Sequence, residues 1–401
     1  MRHVVLLFAC SANALGAQGT TWSAPITLGL PDSVSLRAPS VVVAGDTTIA
    51  AGNVFPKDLD QFIGHRRLAI VRSPGGRLPI PAGSFDFAFP HLARDPRGAL
   101  HLVWAELTDS TGSLVAWTTP PTSLWHSVFA NERWSRPQKI LSARTINWAA
   151  DGRPMIVDST GTVHVAVPAL LSAADFAVVY LRIDSAGSVT ERDFTPGAGY
   201  ASITRLARDS LLIAYSTSDS LTPKGGSSIL TRVSGDGGHT WSAPRPIARQ
   251  TRRNVSPPLI ESTPTGLIAF WVEEARNPGE TQTLWAFSTR SPTAVWSELA
   301  PPYSIDGILV RLVSARAQCD AYAVVAEILG GTPNDPTVRL VDIAVRDGRL
   351  AGTALFPDFV MATSVGIGAD RDRLRLMFTA LRRNEQRGIS ATATGRACRT
   401  M

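Results

Sequence analysis

Short runs of apolar residues, each set off by a turn, recur along the 401-residue chain at an even interval. Leu100–Trp104, Val163–Val167, Leu211–Tyr215, Leu267–Trp271 and Leu374–Phe378 read as strands of continuous or alternating apolar character. Turns containing Asp95-Pro96-Arg97-Gly98, Asp158-Ser159-Thr160-Gly161, Thr263-Pro264-Thr265-Gly266 and Asp370-Arg371-Asp372 separate such strands from an earlier one. Seven earlier strands open the units, at Arg37-Ala38-Pro39, Phe89-Pro90-His91, Arg153-Pro154-Met155, Ser202-Ile203-Thr204, Pro257-Pro258-Leu259, Val310-Arg311-Leu312 and Ala362-Thr363-Ser364. Evenly spaced short strands with turn signals are an all-β pattern, and no amphipathic helical window competes with it. The pattern predicts a β-propeller of seven four-stranded blades, with six as the alternative. The last unit holds only three strands, ending near Gly388–Thr394, and Trp22–Leu28 is the strand left over at the other end. Pairing that N-terminal strand into the last blade closes the ring and removes an exposed sheet edge.

A sharper repeat runs in phase with the strands. Ser234-Gly235-Asp236-Gly237-Gly238-His239-Thr240-Trp241 leads into Ser242-Ala243-Pro244, and its end is echoed by Trp22-Ser23-Ala24-Pro25, Trp134-Ser135-Arg136-Pro137 and Trp296-Ser297-Glu298. The tryptophans lie 112, 107 and 55 residues apart, so a single period of roughly 53–56 residues accounts for all of them. The chemistry suits a tight turn: Asp bonds backbone N–H groups, Gly supplies positive φ, and the indole buries its face over the turn. Ser234, Asp236, Gly238 and Trp241 are therefore read as structural. The eight residues resemble the Asp-box, or BNR repeat, of sialidase-like β-propellers.

That resemblance implies where chemistry would sit. Sialidase catalytic domains have six blades, and they hold the substrate carboxylate with three arginines, whose planar guanidinium matches it bidentately. Ser35-Leu36-Arg37-Ala38-Pro39-Ser40 resembles the motif of the first of these, with Ala in place of Ile, so Arg37 is the leading ligand candidate. Arg153 and Arg311 are candidates to complete the cluster. Asp60, with Asp58 beside it, is the nearest match to the family's acid/base, and Glu261 and Glu273 are the other carboxylates available for catalysis. The family's Tyr nucleophile belongs to the first strand of the last blade, and Phe359–Ile367 contains no Tyr. Tyr200 and Tyr303 lie near other strands without matching that position. A carboxylate pair such as Asp60 and Glu273 could serve ordinary glycoside hydrolysis at a suitable separation.

Composition narrows the rest. Residues 1–17 read as a secretory signal, with a faint lipoprotein-like Cys10, leaving 18–401 as a single propeller domain in a secreted or periplasmic protein. Beyond the leader, no run approaches the roughly 20 apolar residues of a membrane span. The formal charge of +6 comes from 39 basic residues, of which only Lys57, Lys139 and Lys224 are lysines. The arginines are scattered rather than striped, which argues against a nucleic-acid partner. Cys319 and Cys398 fall on one face of neighbouring blades, either as a disulfide or as two buried thiols. No Cys/His spacing suggests a metal, and no cofactor is implied. Two readings follow: a monomeric recognition module for a glycan, acidic sugar or protein partner, without catalysis, or a sialidase-type glycoside hydrolase with a displaced catalytic set.

Overall fold

The computed structural model describes residues 21–24, 26–27, 36–54, 67–83, 87–106, 122–148, 152–171, 176–196, 198–206, 209–219, 226–251, 255–263, 265–273, 281–316, 322–332, 335–346, 349–357, 359–370, 373–382 and 389–396. Among them the chain is all β, without a helix, and its strands form six sheets of a β-propeller. The first sheet runs Leu36–Ala44, Thr47–Val54, Arg67–Ser73 and Gly76–Leu78. The second is Phe87–Arg94, Leu100–Glu106 and Ser123–Ala130, with Arg133–Trp134 and Gln138–Ser142 outermost. In the third, Thr145–Ile146 and Met155–Val157 share one partner, Val163–Leu170, followed by Phe176–Ile183 and Val189–Pro196. The fourth is Ala198–Arg205, Leu211–Asp219, Gly226–Ser234 and Arg245–Thr251. The fifth is Leu259–Thr263, Gly266–Glu273 and Gln282–Thr289, edged by Ser297–Glu298 and Tyr303–Ile305.

The seventh expected blade is not separate. The two last units, 308–355 and 359–396, share one nine-stranded sheet. A single parallel pair, Val338↔Met361, joins the third strand of one unit to the first strand of the next. Six blades, the alternative count, therefore replace seven, because backbone pairing fuses two repeats into one sheet. In the same sheet Thr21–Trp22 and Ile26–Thr27 pair antiparallel with Ile389–Arg396, in the registers Trp22↔Gly395 and Ile26↔Thr392.

The strands are apolar on both faces because each sheet has a neighbour on either side. Seven of the eight residues of Val163–Leu170 are buried, a continuous pattern rather than an alternating one. The cores accordingly lie between sheets. One joins Val103 and Leu124 of the second sheet to Val165 and Leu181 of the third; another joins Phe270 and Leu284 of the fifth to Leu312 and Val324 of the sixth. Three of the repeated tryptophans sit at seams between sheets, and the fourth packs within one. Trp134 packs on the first sheet and donates to Pro79 O at 2.7 Å. Trp241, from the fourth sheet, stands edge-on to Tyr180 of the third, with centroids 5.0 Å apart. Trp296 joins the core of the fourth sheet, and Trp22 packs in the nine-stranded one.

Inner strands carry bulges near the same height. Register shifts fall between Arg37 and Ser40, Ala88 and His91, Ala198 and Ala201, Leu309 and Arg311, and Thr363 and Gly366. Pro39 and Pro90 sit inside two of them, where the ladder needs no N–H. At the joint between the sixth sheet and the first, Gly366 and Gly368 are required by space. A Cβ would lie 2.1 Å from Pro39 O at the one and 2.8 Å from Val41 O at the other.

Turns at the opposite end of the strands are built around aspartates. In 234–241, Asp236 accepts from Thr240 N at 2.8 Å and Thr240 Oγ1 at 2.6 Å, while Ser234 Oγ accepts from Gly238 N at 2.8 Å. The Thr240 bonds, with help from Ser234, pull the Asp236 carboxyl down to about 2. Gly238 has φ of 86°, and a Cβ there would meet Tyr180 Oη at 1.7 Å. The second and third sheets repeat one device. Asp158 Oδ1 takes Thr160 N at 2.8 Å and Thr162 N at 2.9 Å; its Oδ2 faces His164 Nε2 at 3.2 Å, and His164 Nδ1 meets Tyr180 Oη at 2.7 Å. Burial raises the Asp158 pKa, but the bonds from Thr160, Thr162 and His164 outweigh it and the net shift is downward. Asp95, His101 and His126 occupy the equivalent places. Burial, with the His101 ring alongside, holds His126 down to about 3.

Two outcomes follow. Gly238→Ala should destabilise the fold by about 2–4 kcal/mol, from the strained φ and the clash with Tyr180 together; an unchanged melting temperature would contradict the close approach. Unfolded His titrates at 6.5 and folded His126 near 3, so between these the unfolded chain binds the extra proton. The contribution of neutral His126 is then complete above pH 6.5 and declines as pH falls toward 3, by up to about 1.4 kcal/mol per pH unit. Urea unfolding from pH 7 to pH 4 should show this slope, and His126→Gln should flatten it.

Candidate functional site

The bulged inner strands converge on the propeller axis, where Ser40, His91, Arg153, Arg311, Ser314 and Gly366 line a cavity of about 170 Å³. Arg153 owes its position to the break in the third sheet's inner strand, since it precedes Met155–Val157 and Gly152 before it has φ of 79°. Its backbone still ties to the fourth sheet, through Ile203 N to Arg153 O at 2.8 Å. The side chain crosses to two other sheets. Arg153 Nη2 donates to Glu261 Oε1 at 2.5 Å and to Ser314 O at 3.0 Å, and Nη1 reaches Glu261 Oε2 at 3.4 Å. Ser314 Oγ donates to the same Glu261 Oε1 at 2.5 Å.

Glu261 is 1% exposed, so its charge is tolerable because both oxygens are engaged. Arg311 is also buried and lies directly across the strand pair from Glu327, whose Oε2 accepts from Val365 N at 3.1 Å. Arg153 thus has its counter-charge within the protein, in Glu261. His91 completes the wall, its ring edge-on to Trp148 at 4.9 Å, while Trp148 Nε1 donates to Phe89 O at 2.8 Å.

Of the residues expected from the sequence, Arg153, Arg311 and Glu261 meet at the axis. Arg37 lies in the first sheet's inner strand opposite Asn53. Asp58, Asp60, Cys10, Cys319 and Cys398 lie outside the described residues. Glu273 is elsewhere: its Oε2 accepts from Trp285 Nε1 at 3.2 Å. Glu106 does the same for Trp125 at 2.7 Å in the second sheet, so this carboxylate–indole tie recurs at strand ends. Neither Tyr200 nor Tyr303 lines the axial cavity; Tyr303 packs beside Gly352 at an outer edge. No group of three His, Cys, Asp or Glu suited to a metal occurs among the described residues. Sequence reasoning missed Ser40, His91 and Ser314, which no motif marks. It also missed His101, although Asp95-to-His101 and Asp158-to-His164 have the same spacing.

No family model matches the chain, and no curated protein does. Solved structures do resemble it. A Dyadobacter fermentans protein of unknown function aligns with TM-score 0.51 and 13% identity, over 94% of this chain and all of that one. The polysaccharide lyase Uly1 aligns with TM-score 0.53 and 10% identity, over 94% of this chain and 92% of its own. A Trypanosoma rangeli sialidase aligns at TM-score 0.47 and 9% identity, over 94% of this chain and 58% of its own, too loosely to support an inference. At these identities the likeness is one of fold.

The axial contacts predict a specific asymmetry. Arg153→Ala leaves Glu261 buried and unpaired and should cost about 3–5 kcal/mol, whereas replacing Arg153 and Glu261 together by Met should recover much of that loss. Equal losses in the single and double variants, measured by urea unfolding, would show that the pair does not act as a unit.

Proposed function

We propose that this chain is a sialidase-like recognition propeller that binds a glycan or a protein partner without cleaving glycosidic bonds, and that it works outside the cytoplasm. The observation that carries this reading is Arg153, whose guanidinium already bonds Glu261 and Ser314. An arginine engaged in this way directs its strongest contacts inside the protein and has fewer donors left for a substrate carboxylate. The axial cavity, at about 170 Å³, is also below the roughly 300–1,000 Å³ typical of ligand pockets. The absence of Tyr from Phe359–Ile367 points the same way. On this reading residues 234–241 are a surviving Asp-box, kept for the seam it packs.

The test is purified protein incubated with fluorogenic sialosides and a panel of aryl glycosides, alongside binding to an immobilised glycan array. Binding with no turnover is the expected result. Turnover that disappears in Glu261→Gln, with the variant still folded, would overturn the reading in favour of a hydrolase.

A further inference from the structure

No repeated tryptophan packs at the seam between the second and third sheets, nor at the two seams of the nine-stranded sheet. The third sheet's turn there is Asp184-Ser185-Ala186-Gly187-Ser188, which has no aromatic residue. A cleft of about 720 Å³ lies at this seam, between the turns of the two sheets and lined by His101, His126, Arg97, Arg136, Gln138 and Asp184. Its volume is that of ligand pockets.

The Asp–His device at the bottom of this cleft differs from its copy one sheet further on. In the third sheet, His164 is satisfied at both nitrogens, by Asp158 and Tyr180. The registers are equivalent, Val103↔His126 matching Ala166↔Tyr180. In the second sheet His101 Nδ1 bonds His126 Nε2 at 3.1 Å, but His101 Nε2 stands 3.8 Å from Asp95 Oδ2, beyond hydrogen-bond reach. That nitrogen is buried, on a residue 7% exposed, and has no hydrogen-bond partner among the described residues. The copy that is closed by an aromatic stack is complete, and the copy that borders the cleft is left open.

Charge selects the class of ligand. Arg97 and Arg136 are exposed on the cleft wall, and Arg94 packs over Gly98 beside them. Among the described residues, none of the three has an ion-pair partner. Of the two carboxylates of the cleft, one is buried and the other is engaged by its own turn. Asp95 faces His101 with its side chain 8% exposed, and Asp184 Oδ1 accepts from Ala186 N and Ser188 N, each at 2.9 Å. Asn131, Ser135 and Gln138 supply neutral polar groups on the same walls. Guanidiniums match a carboxylate or sulfate, and the amides and hydroxyl suit a hydroxyl-rich body.

From this geometry we infer that the cleft between the second and third sheets is a ligand site, separate from the axis, for a sugar carrying a carboxylate or sulfate group. The site is independent of what the axial cavity binds.

The experiment is a titration of the full chain followed through its histidine ring resonances, with His101 and His126 assigned by His101→Gln and His126→Gln. D-glucuronate, D-galacturonate and glucose 6-sulfate are the probes, and glucose and inorganic sulfate the controls. At least one acidic sugar should shift the His101 and His126 signals, glucose should not, and Arg97→Gln/Arg136→Gln should weaken the effect tenfold or more while leaving the melting temperature unchanged. No shift with any acidic sugar, equal binding of glucose, or equal binding by the double variant overturns the proposal. Inorganic sulfate binding as tightly as the sugars overturns its sugar part. A glycan bound at the axis would leave these two rings unmoved, so failure here is distinguishable from failure of the recognition reading.

Discussion

A sheet that is apolar on both faces has to be covered on both faces, and in this molecule each sheet is covered by the next. Burying apolar area is the dominant favourable contribution to folding, and here it is available only between neighbours, as the shared cores of the second with the third and the fifth with the sixth sheets show. The polar contacts at the seams serve that packing by fixing its register. Ser40 Oγ accepts from Leu92 N at 2.9 Å, and Asn53 Oδ1 from Phe89 N at 3.1 Å, both from the first sheet to the second. Gln282 Oε1 takes Leu309 N at 2.5 Å, from the fifth to the sixth.

The axis inherits its chemistry from this arrangement. Inner strands that must converge leave little room, and the bulges turn side chains of different sheets toward a common space. Charge placed there is partly withdrawn from water, and Arg153 is held by the buried Glu261. Arg153, which looks in sequence like a ligand for a carboxylate, is in the fold the partner of the protein's own Glu261. The outer ends of the strands face the opposite constraint. Short aspartate turns there are polar and open, and those of the second and third sheets leave a cleft between them.

Much of the architecture was legible in the sequence because it rests on local signals. The apolar runs became strands where expected, and the tryptophan spacing located the seams. The blade count was not legible, since one residue pair, Val338↔Met361, decides whether two units share a sheet, and no local pattern encodes such a bridge. At the site, the residue types were visible but their pairing was not. Arg153 and Glu261 are 108 positions apart, and only the fold brings them together. Glu273 reads in sequence as an available carboxylate, and only the fold shows Trp285 bonded to it. The role of His101 could have been suspected from the matched Asp-to-His spacings of two units.

The glycines of the joint between the last inner strand and the first bear on how such a molecule changes over evolutionary time. Repeats multiply by duplication, and a ring that gains a copy must open somewhere to admit it. At Gly366 and Gly368 the backbone of the first sheet lies so near that even a methyl group would collide with Pro39 O or Val41 O. A duplicate strand bearing side chains at those two places would hold this joint apart, whereas a copy admitted at another seam would leave it untouched. The joint therefore limits which strand can stand there, through two absent side chains.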